Sequence, residues 1–148
     1  MDWKNFILCN GVDDILVSGP TEVDDHGYYN LTCYYDAFFI KTANKILRFK
    51  LEDNWEYNIG FIEKITPYWL TEYDHTIFSK KNIDPTGYIS IYRNFFRTKS
   101  KINIIDIKHI NNNGDCIIFK YRINNSKVCE SIISSNVIIG ILFGKELE

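Results

Sequence analysis

Alanine occurs only twice, at Ala37 and Ala43, and leucine is sparse beside isoleucine. A chain poor in the best helix formers and rich in a β-branched residue favours pleated sheets over helices. Proline is scarce too, at three residues, and no Pro/Gly/Ser-rich linker, low-complexity tract or internal repeat interrupts the chain. The 148 residues therefore read as one globular domain, residues 1–148. C-x-x-C pairs are absent. Cys9, Cys33, Cys116 and Cys129 stand singly, which excludes zinc-ribbon and thioredoxin-type patterns and suits reduced thiols in a cytoplasmic protein.

Long apolar runs are lacking as well. The longest, VIIGILFG at residues 137–144, is too short to cross a bilayer and suits a buried strand, so no membrane association is expected. The opening MDWKNFILCNG has neither the basic start nor the long apolar stretch of a secretory signal. G-x-S-x-G, P-loop, H-E-x-x-H and dinucleotide-binding glycine patterns are missing, which removes the motif-bearing enzyme classes and gives no reason to expect a cofactor.

Aromatic residues, by contrast, are plentiful at 16% of the chain. In residues 46–62, Leu47, Phe49 and Leu51 alternate with charged residues, Asp53-Asn54 intervenes, and Trp55, Tyr57, Ile59 and Phe61 alternate again. This predicts an antiparallel hairpin with a two-residue turn and one core face on each strand. A second hairpin is predicted around the loop Asn111-Asn112-Asn113-Gly114, with Ile117, Phe119, Tyr121 and Ile123 facing inward. Further strands are expected over residues 28–40 and 88–96, with a short helix over residues 67–73; Val128, Ile132, Ile133 and Val137 also fit a helical stripe, but β-branched content favours a strand over residues 128–133. About eight strands in meander order, with one or two short helices, define a mainly β fold: a strongly curved sheet, a barrel or a sandwich.

Three histidines, His26, His75 and His109, are the only ones in the chain, and acid–base catalysis would need two of them to converge. Asp74-His75 is a poor orienting pair, because neighbouring side chains diverge. No enzymatic role is expected, and no catalytic residue is assigned. A metal is not expected either. Glu22, Asp24, Asp25 and His26 offer ligand atoms, but no second His or Cys lies at ligand spacing, and the EF-hand pattern is absent. Residues 93–101 interleave Arg93, Arg97, Lys99 and Lys101 with Phe95 and Phe96, as single-stranded nucleic-acid binders do. An isoelectric point of about 5.9 disfavours that partner, and an edge strand guarded by lysine explains the same residues.

Charge carries the strongest global signal. Net charge is −2, yet residues 1–74 hold 6 Lys/Arg against 13 Asp/Glu, and residues 75–148 hold 11 against 6. If the fold keeps the halves apart, one face attracts a basic partner. Asp13, Asp14, Glu22, Asp24 and Asp25, interrupted by Gly19-Pro20, are expected on neighbouring loops at one end of the sheet. Tyr28 and Tyr29 beside them add rigid contact area with polar tips.

An aromatic-rich domain with Asp13-Asp14, Glu22-Val23-Asp24-Asp25 and Tyr28-Tyr29 resembles the immunity proteins of bacterial polymorphic-toxin and contact-dependent growth-inhibition systems. The resemblance implies an inhibitor that binds one cognate toxin domain, often a basic nuclease, and blocks its substrate site by acidic and aromatic contacts. On that reading Glu22, Asp24 and Asp25 lie near phosphate-binding cations of the partner, and Tyr28 or Tyr29 fills an adjoining pocket. The alternative is a β-barrel that takes a small apolar or anionic ligand in its mouth, with Arg93 or Arg97 reaching in.

Overall fold

Alternating isoleucine and aromatic residues build the inner faces of two antiparallel sheets in the computed structural model. It describes residues 2–23, 25–26, 29–31, 34–65, 86–135 and 141–146, with backbone alone at 18–23, 29–31, 34–36, 86–88 and 141–146. Among the described residues the chain forms a helix α1 (Trp3–Asn10) and strands β1 (Asp14–Val23), β2 (Tyr29–Leu31), β3 (Tyr34–Thr42), β4 (Lys45–Leu51), β5 (Tyr57–Ile62) and β6 (Thr86–Ser90). A short helix α2 (Tyr92–Phe96) follows, then β7 (Ile102–Asn111), β8 (Asp115–Ile123), β9 (Val128–Ser134) and β10 (Ile141–Glu146). The protein is mainly antiparallel β with short helices, as its composition predicts. The helix expected over residues 67–73 lies outside the described residues.

The first sheet runs β2-β1-β3-β4-β5, with β6 also paired to β1; the second is a simple meander, β10-β9-β8-β7. Register aligns the core residues into rows. Ile15, Ile40, Leu47 and Phe61 form one row across the first sheet, and Val17, Phe38, Phe49 and Ile59 the next. In the second sheet Ile107 faces Phe119, and His109, Ile117, Ile133 and Ile141 lie in line. A register shift between Ile104 and Asp106 turns the strand by one residue, so Ile104 and Ile107 both point inward while Ile105 is exposed. Buried side chains from both sheets belong to one cluster. The sheets therefore enclose a common core.

Both helices close that core. In α1, Asp2 caps the start by accepting from the Lys4 N–H at 3.0 Å, and Gly11 at φ 78° ends it by donating its N–H to the Ile7 carbonyl at 2.7 Å. Trp3 then packs edge-on against Phe49, and Phe6 against Phe61. Residues 92–96, expected to continue a strand, are helical instead. The reason is packing. Phe95 and Phe96 are adjacent and both fully buried, whereas a strand would send them to opposite faces. The helical turn lets Phe96 meet Tyr92, Phe119 and Tyr121, and Phe95 meet Phe119.

Candidate functional site

Gly19-Pro20, expected to separate two loops, lies within β1, where Gly19 pairs with Gly87 and Pro20 with Thr86. The acidic residues expected to cluster are thereby drawn apart. Asp14 opens β1 and Val23 closes it, a separation of up to roughly 30 Å at the usual rise per residue. Asp13 and Asp14 sit at one end of the first sheet. Glu22, opposite Asn30, and Tyr29, opposite Val23, sit at the other, with exposed Asp25 and His26 just beyond β1. Asp24 and Tyr28 lie outside the described residues, as do Cys33 and His75.

A second acidic element lies on the same sheet, away from both groups. Because β3 is antiparallel to β1 and β4 to β3, β4 runs in the direction of β1, and the pairs Val17–Phe38, Ser18–Tyr34 and Ala37–Lys50 put its final residue Leu51 level with Val17 and Ser18, near the middle of β1. The β4–β5 turn there is longer than the two residues its sequence suggests. The ladder ends at the pair Leu51 and Tyr57, and residues 52–56 form a closed loop in which the Glu52 N–H donates to the Glu56 carbonyl at 2.8 Å and the Trp55 N–H to the Glu52 carbonyl at 3.0 Å. Asn54 adds a side-chain turn by accepting from the Glu56 N–H at 3.2 Å.

Trp55 is thus displaced from the core face that its alternation predicts. It adopts the left-handed conformation at φ 65° and is 59% exposed, the most exposed large hydrophobic side chain among the described residues. Glu52, Asp53 and Glu56 share the turn with it, and none makes an ion pair among the described residues. Together with Asn54, Tyr57 and Asn58 they line an open depression of about 470 Å³. Sequence reasoning missed this site because alternation assigned Trp55 to the core. The run Glu52-Asp53-Asn54, three polar residues before the tryptophan, was the available signal for a longer turn.

The loop is tied to the second sheet by Asp115, which is 1% exposed. Its N–H donates to the Trp55 carbonyl at 3.2 Å, and its Oδ2 accepts from the Tyr57 N–H at 2.6 Å. Ser135 closes the other side, its hydroxyl accepting from the Asp115 N–H at 2.9 Å and its N–H donating to the Asp115 carbonyl at 3.0 Å. Oδ1 lies 3.0 Å from His109 Nε2, an ion pair when the ring is protonated, although the two are not aligned for a hydrogen bond. Such an arrangement has the outline of a histidine-orienting dyad. With its second oxygen held by the Tyr57 amide, however, the carboxylate acts as a stitch between the sheets. His109 stands against Trp3 in the second sheet and His26 beyond β1 in the first.

At the near end, Asp13 and Asp14 are engaged within the fold. Asp13 Oδ2 accepts from the Ala43 N–H at 3.0 Å, and Asp14 Oδ1 accepts from the Ile15 N–H at 2.8 Å and the Ser90 hydroxyl at 2.5 Å. Arg93, Lys99 and Lys101 line the same cleft, so the acidic and basic halves of the sequence meet here. No helix among the described residues is long and apolar enough to cross a membrane. Comparison of the chain with family models, curated proteins and solved structures finds no match.

Proposed function

We propose that this protein binds a basic protein partner through the β4–β5 turn of its first sheet, in the manner of an immunity protein that covers the substrate site of a cognate toxin domain. One observation carries the reading: Trp55, 59% exposed, stands on a hydrogen-bonded turn among three carboxylates. A large aromatic side chain left in water is unfavourable and contributes strongly when a partner covers it, which is why tryptophan is enriched among the residues that dominate interface energetics. Lysine and arginine suit the surrounding charge, and a cation over the indole face adds an attraction of its own. Asp13 and Asp14 belong to a different surface, at the start of β1, and Glu22 and Asp25 lie at and beyond its other end. The small-ligand barrel has less support. The core rings of Phe38 and Phe49 stack at 4.7 Å, and those of Phe95 and Phe96 meet at 4.8 Å, contacts that fill the space a central ligand would need.

Immobilised wild-type chain, Trp55→Ala and the triple variant Glu52→Lys, Asp53→Lys, Glu56→Lys test this in a lysate of the native host. The expected result is a basic protein retained by the wild type, lost with both variants, and relieved of its toxicity when the wild-type chain is co-expressed. Equal retention by all three chains would reject this surface, and a retained protein without toxicity would reject the immunity role.

A further inference from the structure

At the near end of the first sheet the structure carries an open cleft of about 330 Å³, lined by Val12, Asp13, Asp14, Ser90, Tyr92, Arg93, Lys99 and Lys101. We propose that this cleft binds a small zwitterion whose ammonium and carboxylate lie several atoms apart, such as a dipeptide. Its volume is at the small end of the range for ligand sites, which suits a molecule of that size.

Opposite charges line this one cleft without pairing. None of the three cations comes within 4.0 Å of either carboxylate. The acidic wall is held in place: the Ala43 amide fixes one oxygen of Asp13, and the Ile15 amide and Ser90 hydroxyl fix one oxygen of Asp14. Asp13 Oδ1 and Asp14 Oδ2 are left as acceptors for an ammonium group. Tyr92 forms a rigid, largely buried flank, its hydroxyl donating to the Ser100 carbonyl at 2.8 Å. The cationic wall is exposed and mobile in chemistry, with the arginine able to take a carboxylate in two parallel hydrogen bonds and the lysines as point charges. A purely anionic ligand would meet two fixed carboxylates, and a purely cationic one three positive charges. Only a molecule with both groups satisfies the two walls at once.

Backbone amide shifts of the full chain, followed by NMR, test the assignment with three probes: alanylalanine, its N-acetyl derivative and its C-terminal amide. Inorganic phosphate serves as the anion control. Alanylalanine is expected to shift residues 13–15 and 90–101 saturably at millimolar concentration, with the two blocked dipeptides about tenfold weaker or more. Arg93→Ala and Lys101→Ala, both at exposed positions, should each weaken the shifts while leaving the rest of the spectrum in place. No saturable shift with alanylalanine would overturn the proposal. So would phosphate or the N-acetyl derivative binding as tightly, because the site would then be a plain anion site. Failure here leaves the Trp55 surface on the β4–β5 turn untouched.

Discussion

Asp115 shows how much one side chain settles in this molecule. Its carboxylate accepts the Tyr57 amide from the first sheet and faces His109 in the second, and its own amide reaches the Trp55 carbonyl. Replacing it with alanine removes the carboxylate that accepts from the Tyr57 N–H and pairs with His109. We expect Asp115→Ala to lower stability by about 3 kcal/mol, read as a reduced urea midpoint at unchanged slope; a loss within error would mean that water replaces the carboxylate. Tyr121 illustrates the neutral counterpart. Fully buried, it donates its hydroxyl to the Phe96 carbonyl at 3.2 Å and pairs with the Ser131 hydroxyl at 3.0 Å. Burial pushes its phenol above the ordinary tyrosine value, with the Ser131 hydrogen bond opposing in part. The folded state thus favours the neutral phenol. The resulting stability is complete below the unfolded pKa of about 10 and is lost as the pH rises through the higher folded value. Tyr121→Phe should cost about 1 kcal/mol at neutral pH, and its stability should then fall less steeply than the wild type's between neutral and strongly alkaline solution. Parallel alkaline curves for the two chains would exclude Tyr121 as the group responsible.

Elements differ in how openly the sequence announces them. The hairpin strands are legible because one face of each is wet, so period-two alternation survives in Leu47, Phe49 and Leu51 and again in Ile117, Phe119 and Tyr121. Helix α1 carries its signals as a capping aspartate before Trp3 and a glycine after Asn10, but its eight residues are too few for a helical period to stand out. Helix α2 has no such signal: its five residues are set by the tertiary need to bury two consecutive phenylalanines. The continuity of β1 through Gly19-Pro20 was hidden for a related reason. Pro20 lacks an amide, yet it pairs with Thr86 of β6, and pairing between distant segments leaves no local pattern. The candidate site followed the same rule, since the acidic character of the first half was visible while its division between two sheet ends was not. The β4–β5 turn makes this measurable. A left-handed backbone costs an L-residue about 1–2 kcal/mol that glycine does not bear, and the exposed indole loses little on removal. Trp55→Gly should therefore leave thermal stability unchanged or slightly raised while weakening partner binding by about 2 kcal/mol or more, as expected of an interface anchor. A marked loss of stability would show that the indole is packed in solution and would remove the case for its recognition role.

At the scale of the molecule, the two charge halves become the two sheets. Residues 14–62 supply five of the six strands in the first sheet, and residues 102–146 supply all of the second. The described strands of the acidic half thus lie in one sheet, with carboxylates that make no ion pair at the β4–β5 turn, and the halves meet at the cleft beside Arg93. Separate charge does not mean separate folding. Val17, Phe38 and Phe49 of the first sheet and Ile117, Phe119 and Tyr121 of the second belong to the same buried cluster. Phe96 of α2 joins that cluster with no exposed surface, edge-on to Phe119 and to Tyr121. Removing its ring should leave a cavity that neither sheet can close alone, at a cost of about 3–5 kcal/mol. If the common core couples the sheets, Phe96→Ala will lower amide protection at Phe49 in β4 and Phe119 in β8 by the same factor, because both amides exchange through one global opening. If the second sheet opens by itself, Phe119 will lose protection while Phe49 keeps it. Hydrogen exchange on the two amides distinguishes these outcomes, and the equal loss is the one that a single shared core requires.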